Sequence, residues 1–289
     1  MADVLDPDQC RRYHEDGYLL LPSHVDDTWL TRLRDAMDQL VAESRTASPD
    51  DPRFDFAPGH SPDAPRLRRI NSPVDLHPTF AEFALDGPAT DIAEALLGAD
   101  VRFHHAKLNI KWHSGGEEVK WHQDIQFWPH TDFSPLTIGI YLDDVDDAMG
   151  PMGVVPGSHT GPLFDLTAPD GTWTGTIRDD DLARARTERA HYLRGPAGSV
   201  TVHNCCAVHG SSPNESARSR PLLLQTFAPA DSYPLLGVGT NGKAGANAHQ
   251  LVRGRAPRTL TVDGRTMPAA PDWYRGAYRS IFAVQQAED

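Results

Sequence analysis

Leu30, Leu33, Met37, Leu40 and Val41 recur at intervals of three and four, so they fall on one face of a predicted helix. Asp26 or Asp27 stands where that helix needs a cap. A shorter helix is predicted ahead of it, from Asp6-Pro7-Asp8-Gln9 to about Glu15, with acids and a proline in its first turn and Gly17 as its stop. Tyr18 to Pro22 reads as a short strand. Phe80 to Leu97 reads as helix again, broken at Gly87-Pro88, with Phe80, Phe83, Ala84, Ile92 and Leu96 as core candidates.

After Gly98 the period changes from helical to two. Val101 to Trp112 alternates as a strand does, and Thr137 to Leu142, Val200 to Val202 and Leu222 to Phe227 read as further strands. Turn signals at Ser114-Gly-Gly116, Gly150-Pro151, Pro156-Gly157, Gly195-Pro196 and Ser212-Pro213 separate them. Such punctuation predicts a sandwich, jelly roll or barrel. The Pro-, Asp- and Ser-rich stretch 48–65 and the Gly-, Ala- and Asn-rich stretch 237–258 read as loops. With no internal repeat and no clear break, the pattern predicts one domain over 1–289. It has a helical part to about 98, a β core over about 99–235 and an extension over 236–289.

Composition narrows the classes. Lys+Arg total 27 against Asp+Glu 40, a formal charge of −13, which disfavours nucleic acid as a partner. Cys10, Cys205 and Cys206 are an odd set with two adjacent, so reduced thiols are expected rather than a disulfide framework. The first residues have neither a basic start nor an apolar run, and no stretch approaches the ~18 apolar residues of a membrane span. The expectation is a cytoplasmic protein that acts on a small molecule.

His-x-Asp occurs four times, at His14/Asp16, His24/Asp26, His122/Asp124 and His130/Asp132. The first pair lies in a predicted helix, where residues two apart diverge by about 200° and cannot share an ion. Asp26 has a cap to form, and Asp132 sits in turn chemistry. His122 and Asp124 lie in an extended reading of 119–127, where both side chains face the same way and can reach one ion. A third ligand is needed, and His209 is offered on or just after a later strand. Two histidines and one carboxylate form the facial triad of non-haem Fe(II) oxygenases, which leaves one side of the metal open. Arg220 precedes the strand Pro221–Thr226 and could fork onto a carboxylate; taken alone, it reads as a surface arginine. A Cys/His zinc site is a rival, weakened because adjacent cysteines on a strand point to opposite faces.

W-H-Q-D (121–124), G-P-M-G-V-V-P-G-S-H (150–159), G-S-V-T-V-H-N-C-C-A-V-H-G-S-S-P-N (198–214) and Arg220 resemble the phytanoyl-CoA dioxygenase family of Fe(II)/2-oxoglutarate oxygenases. D-G-Y-L-L-L-P (16–22) resembles the family's opening, and the likeness runs from about residue 8 to 230. It implies a mainly β (α+β) double-stranded β-helix, a cupin-like jelly roll with flanking N-terminal helices. It implies Fe(II), 2-oxoglutarate and O2, with His122, Asp124 and His209 on the metal. Arg220, with Ser211 nearby, would take the distal carboxylate of 2-oxoglutarate, and Lys107 or Asn109 would touch the cosubstrate. Ile140 or Tyr141 stands where some relatives place an aromatic contact. Iron halogenases in this wider group lack the carboxylate, so Asp124 favours oxygenation.

Gln126 would face the substrate if the strand continues. Ile125, Phe127 and Trp128 are candidates for an apolar wall, or for ordinary core. Arg66, Arg68 and Arg69 hint at an anionic substrate, although a solvated loop would explain them equally. The 48–70 and 237–258 loops could form a lid. Desaturation, ring closure or epimerisation on the same iron, a zinc hydrolase and a non-catalytic jelly-roll binder remain alternatives.

Overall fold

Asp6 caps α1 (Pro7–Asp16): its carboxylate accepts the Gln9 N–H, and Gln9 Oε1 accepts the Asp6 N–H. Gly17 ends the helix at φ +79°, a conformation that costs glycine little. After β1 (Tyr18–Leu21), Asp26 caps α2 (Asp27–Ser44) by accepting the Trp29 N–H. This is a computed structural model of the chain, and it describes residues 4–113, 116–236, 245–269 and 279–286.

The elements that follow are β2 (Phe54–Phe56), β3 (Leu67–Asn71), α3 (Pro73–Leu76), α4 (Pro78–Leu85), α5 (Pro88–Leu97), β4 (Val101–Lys111) and β5 (Val119–His122). Then come β6 (Leu136–Tyr141), β7 (Met152–Val154), α6 (Leu182–Ala185), β8 (His191–Leu193), β9 (Val200–Asn204), β10 (His209–Ser211) and β11 (Arg220–Pro229). The described chain closes with β12 (Leu251–Arg253), β13 (Thr259–Val262), β14 (Arg265–Pro268) and α7 (Ile281–Gln285). The break at Gly87-Pro88 is present as the boundary between α4 and α5.

Two antiparallel sheets face each other. The larger runs β1-β9-β6-β11-β4-β3-β2, with β12 also on β4; the smaller runs β5-β10-β7-β8. Strand alternation gives the larger sheet two chemistries. Ala106, Leu108, Ile138, Ile140, Val200, Val202 and Leu223 join residues of the helices in one apolar core. Their neighbours in sequence lie on the opposite face. Register aligns Lys111 with Arg220, Asn109 with Leu222 and Lys107 with Leu224, and aligns Thr137 with both Thr226 and His203. Polar residues are thus collected between the sheets.

Two readings change. The 48–65 stretch is not wholly loop: β2 lies within it and pairs with β3, which pairs with β4, so Arg69 aligns with Asn109 and Asn71 with Lys107. Short strands of mixed polarity carry little periodic signal. In the 237–258 stretch, residues 237–244 lie outside the described residues, and β12 occupies part of the remainder. No described helix is long and apolar enough to cross a membrane.

Candidate functional site

His122 ends β5, His209 begins β10, and the two are register partners with ring centroids 4.2 Å apart. Asp124 lies two residues beyond the end of β5, in a 3-10 turn over Asp124–Gln126. The strand therefore does not continue to residue 127, yet Asp124 still turns inward. Its Oδ1 is 3.5 Å from His122 Nε2 and 3.9 Å from His209 Nε2. One ligand atom from each of the three residues lies within 4.8 Å of the others, all three residues are buried, and no other such His/Cys/Asp/Glu group occurs among the described residues.

The rings are held from behind. His122 Nδ1–H donates to Lys120 O at 2.7 Å, and His209 Nδ1–H donates to Ala207 O at 3.0 Å. A carbonyl can only accept, so both Nε2 atoms present lone pairs. Asp124 Oδ2 is 3.3 Å from His203 Nε2 and 3.5 Å from Thr137 Oγ1, which leaves Oδ1 toward the two ligand rings. Burial opposes ionisation of Asp124, but the surrounding positive charge, with Lys107 as its lasting source, and the hydrogen bond from His203 hold its pKa well below the usual carboxylate range. Burial, and then the neighbouring imidazoles, keep His209 neutral. Two imidazoles with inward Nε2 atoms and an anionic carboxylate suit a divalent first-row metal.

On β11, in register with Lys111, Arg220 is 3% exposed, and its Nε and Nη1 have no hydrogen-bond partner. A buried guanidinium without an acceptor is costly, so this is a cradle shaped for an anion. Lys111 Nζ donates to Ser211 Oγ at 2.7 Å, to Ser211 O at 3.2 Å and to Ser212 O. Burial first, and Arg220 second, lower the Lys111 pKa to about 7. A cavity of about 330 Å³ opens here, lined among others by Arg220, Lys111, Asn109 and Arg69. Arg220, Lys111 and Ser211 can together hold a carboxylate, and the cavity has room for a small dicarboxylate.

The sequence-predicted residues divide. His122, Asp124 and His209 come together; Ser211 follows His209 by two on β10 and is linked to Arg220 through Lys111. Asn109 lines the cavity, with its Oδ1 accepting from Arg69 Nε at 3.0 Å. Lys107 lies within electrostatic range of Asp124 and Arg69, so Lys111 is the lysine set beside Arg220. Tyr141 lies on the Arg220 face, whereas Ile140 packs in the helix-side core. Gln126 does not face the triad: the turn redirects it, and its amide donates to Phe164 O at 2.6 Å. Trp128 is 8% exposed and packs with Ile125, Cys205 and Cys206 in a small buried apolar cluster, whereas Phe127 is 47% exposed. Asp132 accepts the Ser134 N–H in a local turn, as its sequence context predicts.

Three features escaped the sequence reading. His203 follows Thr201 by two on β9, the alternation that marks inward residues, so its signal was present. Gln123 is fully buried and bonds Pro162 O, Cys206 O and the Phe164 N–H, bracing the turn that aims Asp124. His104 and His105 left no periodic signal. The β4/β11 register slips between Thr226 and Phe227, making His104 an extra residue. The two Nδ1 atoms meet at 2.6 Å, and burial, then Lys107, pushes His105 down to about 3.

The phytanoyl-CoA dioxygenase (PhyH) family model matches residues 13–222. The probable alpha-ketoglutarate-dependent hypophosphite dioxygenase of Stutzerimonas stutzeri is 32% identical over 238 residues, which covers 81% of this chain and 82% of that protein. The L-proline trans-4-hydroxylase of Streptomyces griseoviridis is 30% identical over 241 residues, covering 77% and 86%. The crystal structure of EctD from S. alaskensis with 2-oxoglutarate and 5-hydroxyectoine shares the fold, with a TM-score of 0.68 at 22% identity over 88% of this chain and 87% of that one. With a jelly roll, an inward His/Asp/His set and matches spanning most of its length, the chain belongs to the phytanoyl-CoA dioxygenase family of Fe(II)/2-oxoglutarate-dependent oxygenases.

Proposed function

We propose that this oxygenase hydroxylates an aliphatic carbon of a small amino-acid-like or natural-product metabolite. In this reading His122, Asp124 and His209 hold the iron. Arg220, Lys111 and Ser211 hold the distal carboxylate of 2-oxoglutarate. Bound iron, 2-oxoglutarate and O2 supply an oxidant strong enough to break an unactivated C–H bond. The chain's own residues position and shield: His203 and Thr137 hold the far oxygen of Asp124, and Trp128 with Ile125, Cys205 and Cys206 closes one side against water. The observation that carries the reading is the convergence of three ligand atoms within 4.8 Å, in a fold that also buries a guanidinium with two unpartnered nitrogens. The L-proline trans-4-hydroxylase supports an amino-acid-like substrate.

A second reading is oxidation of a small phosphorus oxyanion. Its support is the 32% identity to a probable hypophosphite dioxygenase over most of both chains. A substrate panel read out by succinate formation separates the two. Turnover should require Fe(II) and fail with zinc. Asp124→Ala should abolish it; if Asp124→Ala left iron-dependent turnover intact, the ligand assignment would be wrong.

A further inference from the structure

Asp124 is the only buried carboxylate among the described residues. The larger sheet gathers cations on the face it turns to the smaller one. Arg220 and Lys111 line the cosubstrate side. Arg69 and Lys107 form a second group, diagonal neighbours on adjacent strands: Arg69 aligns with Asn109, and Lys107 lies two residues before Asn109 on the same face. Both are within electrostatic range of Asp124 and of each other.

Their partners are few. Arg69 donates one hydrogen bond, to neutral Asn109, and feels Asp55 at a distance. Asp55 lies at the surface, 3.9 Å from Arg68, so it compensates Arg69 weakly. Lys107 makes no hydrogen bond or ion pair among the described residues; Asp124 is the one acid within its electrostatic range. Arg68 differs, being fully engaged by Glu117 at 2.8 and 2.6 Å.

Charge balance in the assembled site then decides the matter. The two positive charges of the ferrous ion are matched by the two negative charges of 2-oxoglutarate. Asp124 matches one of Arg220, Lys111, Lys107 and Arg69. Three cations are left over in a low-dielectric interior, where an uncompensated charge is costly. The Arg69 side also lines the cavity of about 330 Å³ that reaches solvent, so a small molecule has a route to it.

We propose that the substrate is an anion whose negative group is held by Arg69 and Lys107 between the larger sheet and the iron. The inference rests on the oxygenase reading above and specifies the substrate's charge. Carboxylates and phosphorus oxyanions share the required chemistry.

The test uses the anaerobic protein loaded with Fe(II) and saturating 2-oxoglutarate, followed by the visible absorption of that complex. Acetate, its neutral isostere acetamide and phosphinate are titrated in turn. Saturable binding of acetate or phosphinate, without binding of acetamide, is expected, and whichever anion binds more tightly identifies the carboxylate or phosphorus source. Arg69→Gln and Lys107→Met should each weaken that binding by about tenfold or more, as for loss of one charge-assisted contact. Arg69→Gln should change 2-oxoglutarate affinity by less than about threefold, since Arg69 bonds Asn109 and feels Asp55 and Asp124, while Lys111 and Ser211 accompany Arg220. No saturable anion binding, equal binding of acetamide, or undiminished binding in both variants would overturn the inference. Failure of the wild-type protein to form the Fe(II)/2-oxoglutarate absorption would instead overturn the oxygenase reading.

Discussion

Replacing Arg220 with methionine should have opposite effects on cosubstrate binding and on the stability of the free protein. The side chain lies on β11 beside Lys111, 3% exposed, with Nε and Nη1 unpartnered. With Nε and Nη1 unpartnered, both long edges of the guanidinium keep a donor free for an incoming carboxylate. A hydrogen bond to a charged group contributes about 1.5–3 kcal/mol, and Lys111 would retain part of the attraction. A net loss of about 3 kcal/mol corresponds to roughly 100-fold weaker 2-oxoglutarate binding. Without cosubstrate the same guanidinium is a buried charge with unmet donors. Burial already lowers its pKa, a sign that the folded protein bears a desolvation cost there. Methionine fills similar space without that cost, so the free variant should unfold at the same temperature as wild type or higher. Anaerobic titration of 2-oxoglutarate and thermal unfolding with and without it measure both effects. Wild type should gain Tm with cosubstrate, and Arg220→Met should lose that gain. Unchanged affinity, or a free-state Tm that falls as after an ordinary core truncation, would refute the reasoning.

Two further outcomes follow from the same geometry. Lys111, lowered from 10.5 to about 7, is less protonated in the folded than in the unfolded chain above neutral pH, so its contribution makes stability rise as pH climbs from about 7 toward 10.5. An anionic cosubstrate favours its charged form, so 2-oxoglutarate affinity should fall as pH rises through about 7, and Lys111→Met should flatten that profile; a profile unchanged in Lys111→Met would exclude this lysine. His203→Leu removes the hydrogen bond to Asp124 Oδ2 and should weaken Fe(II) binding by about tenfold in a chelator competition, with partial recovery in His203→Gln. Equal iron affinity in all three proteins would mean that His203 only packs.

What could be read from the sequence was whatever repeats or punctuates. The helix starts at Asp6-Pro7 and at Asp26-Asp27, the break at Gly87-Pro88 and the strands β4, β6 and β11 follow from local propensity and period, and each stands close to where its residues predict. His122, Asp124, His209 and Arg220 could be named because the motifs around them are distinctive. The chemistry around them depended on contacts between distant segments. Lys107, Asn109 and Lys111 look alike along β4, and only pairing with β11 sets Lys111 against Arg220. Gln126 changes direction because a 3-10 turn replaces the predicted strand, and Gln123, held by three backbone groups from distant segments, stabilises that turn. The bulge at His104, the hold of His203 on Asp124 and the leftover charge of Arg69 and Lys107 exist only when strands far apart in the chain are in register. Sequence alone specifies period and residue chemistry; which charges meet, and which are left without a partner, is set by long-range pairing that no local pattern encodes.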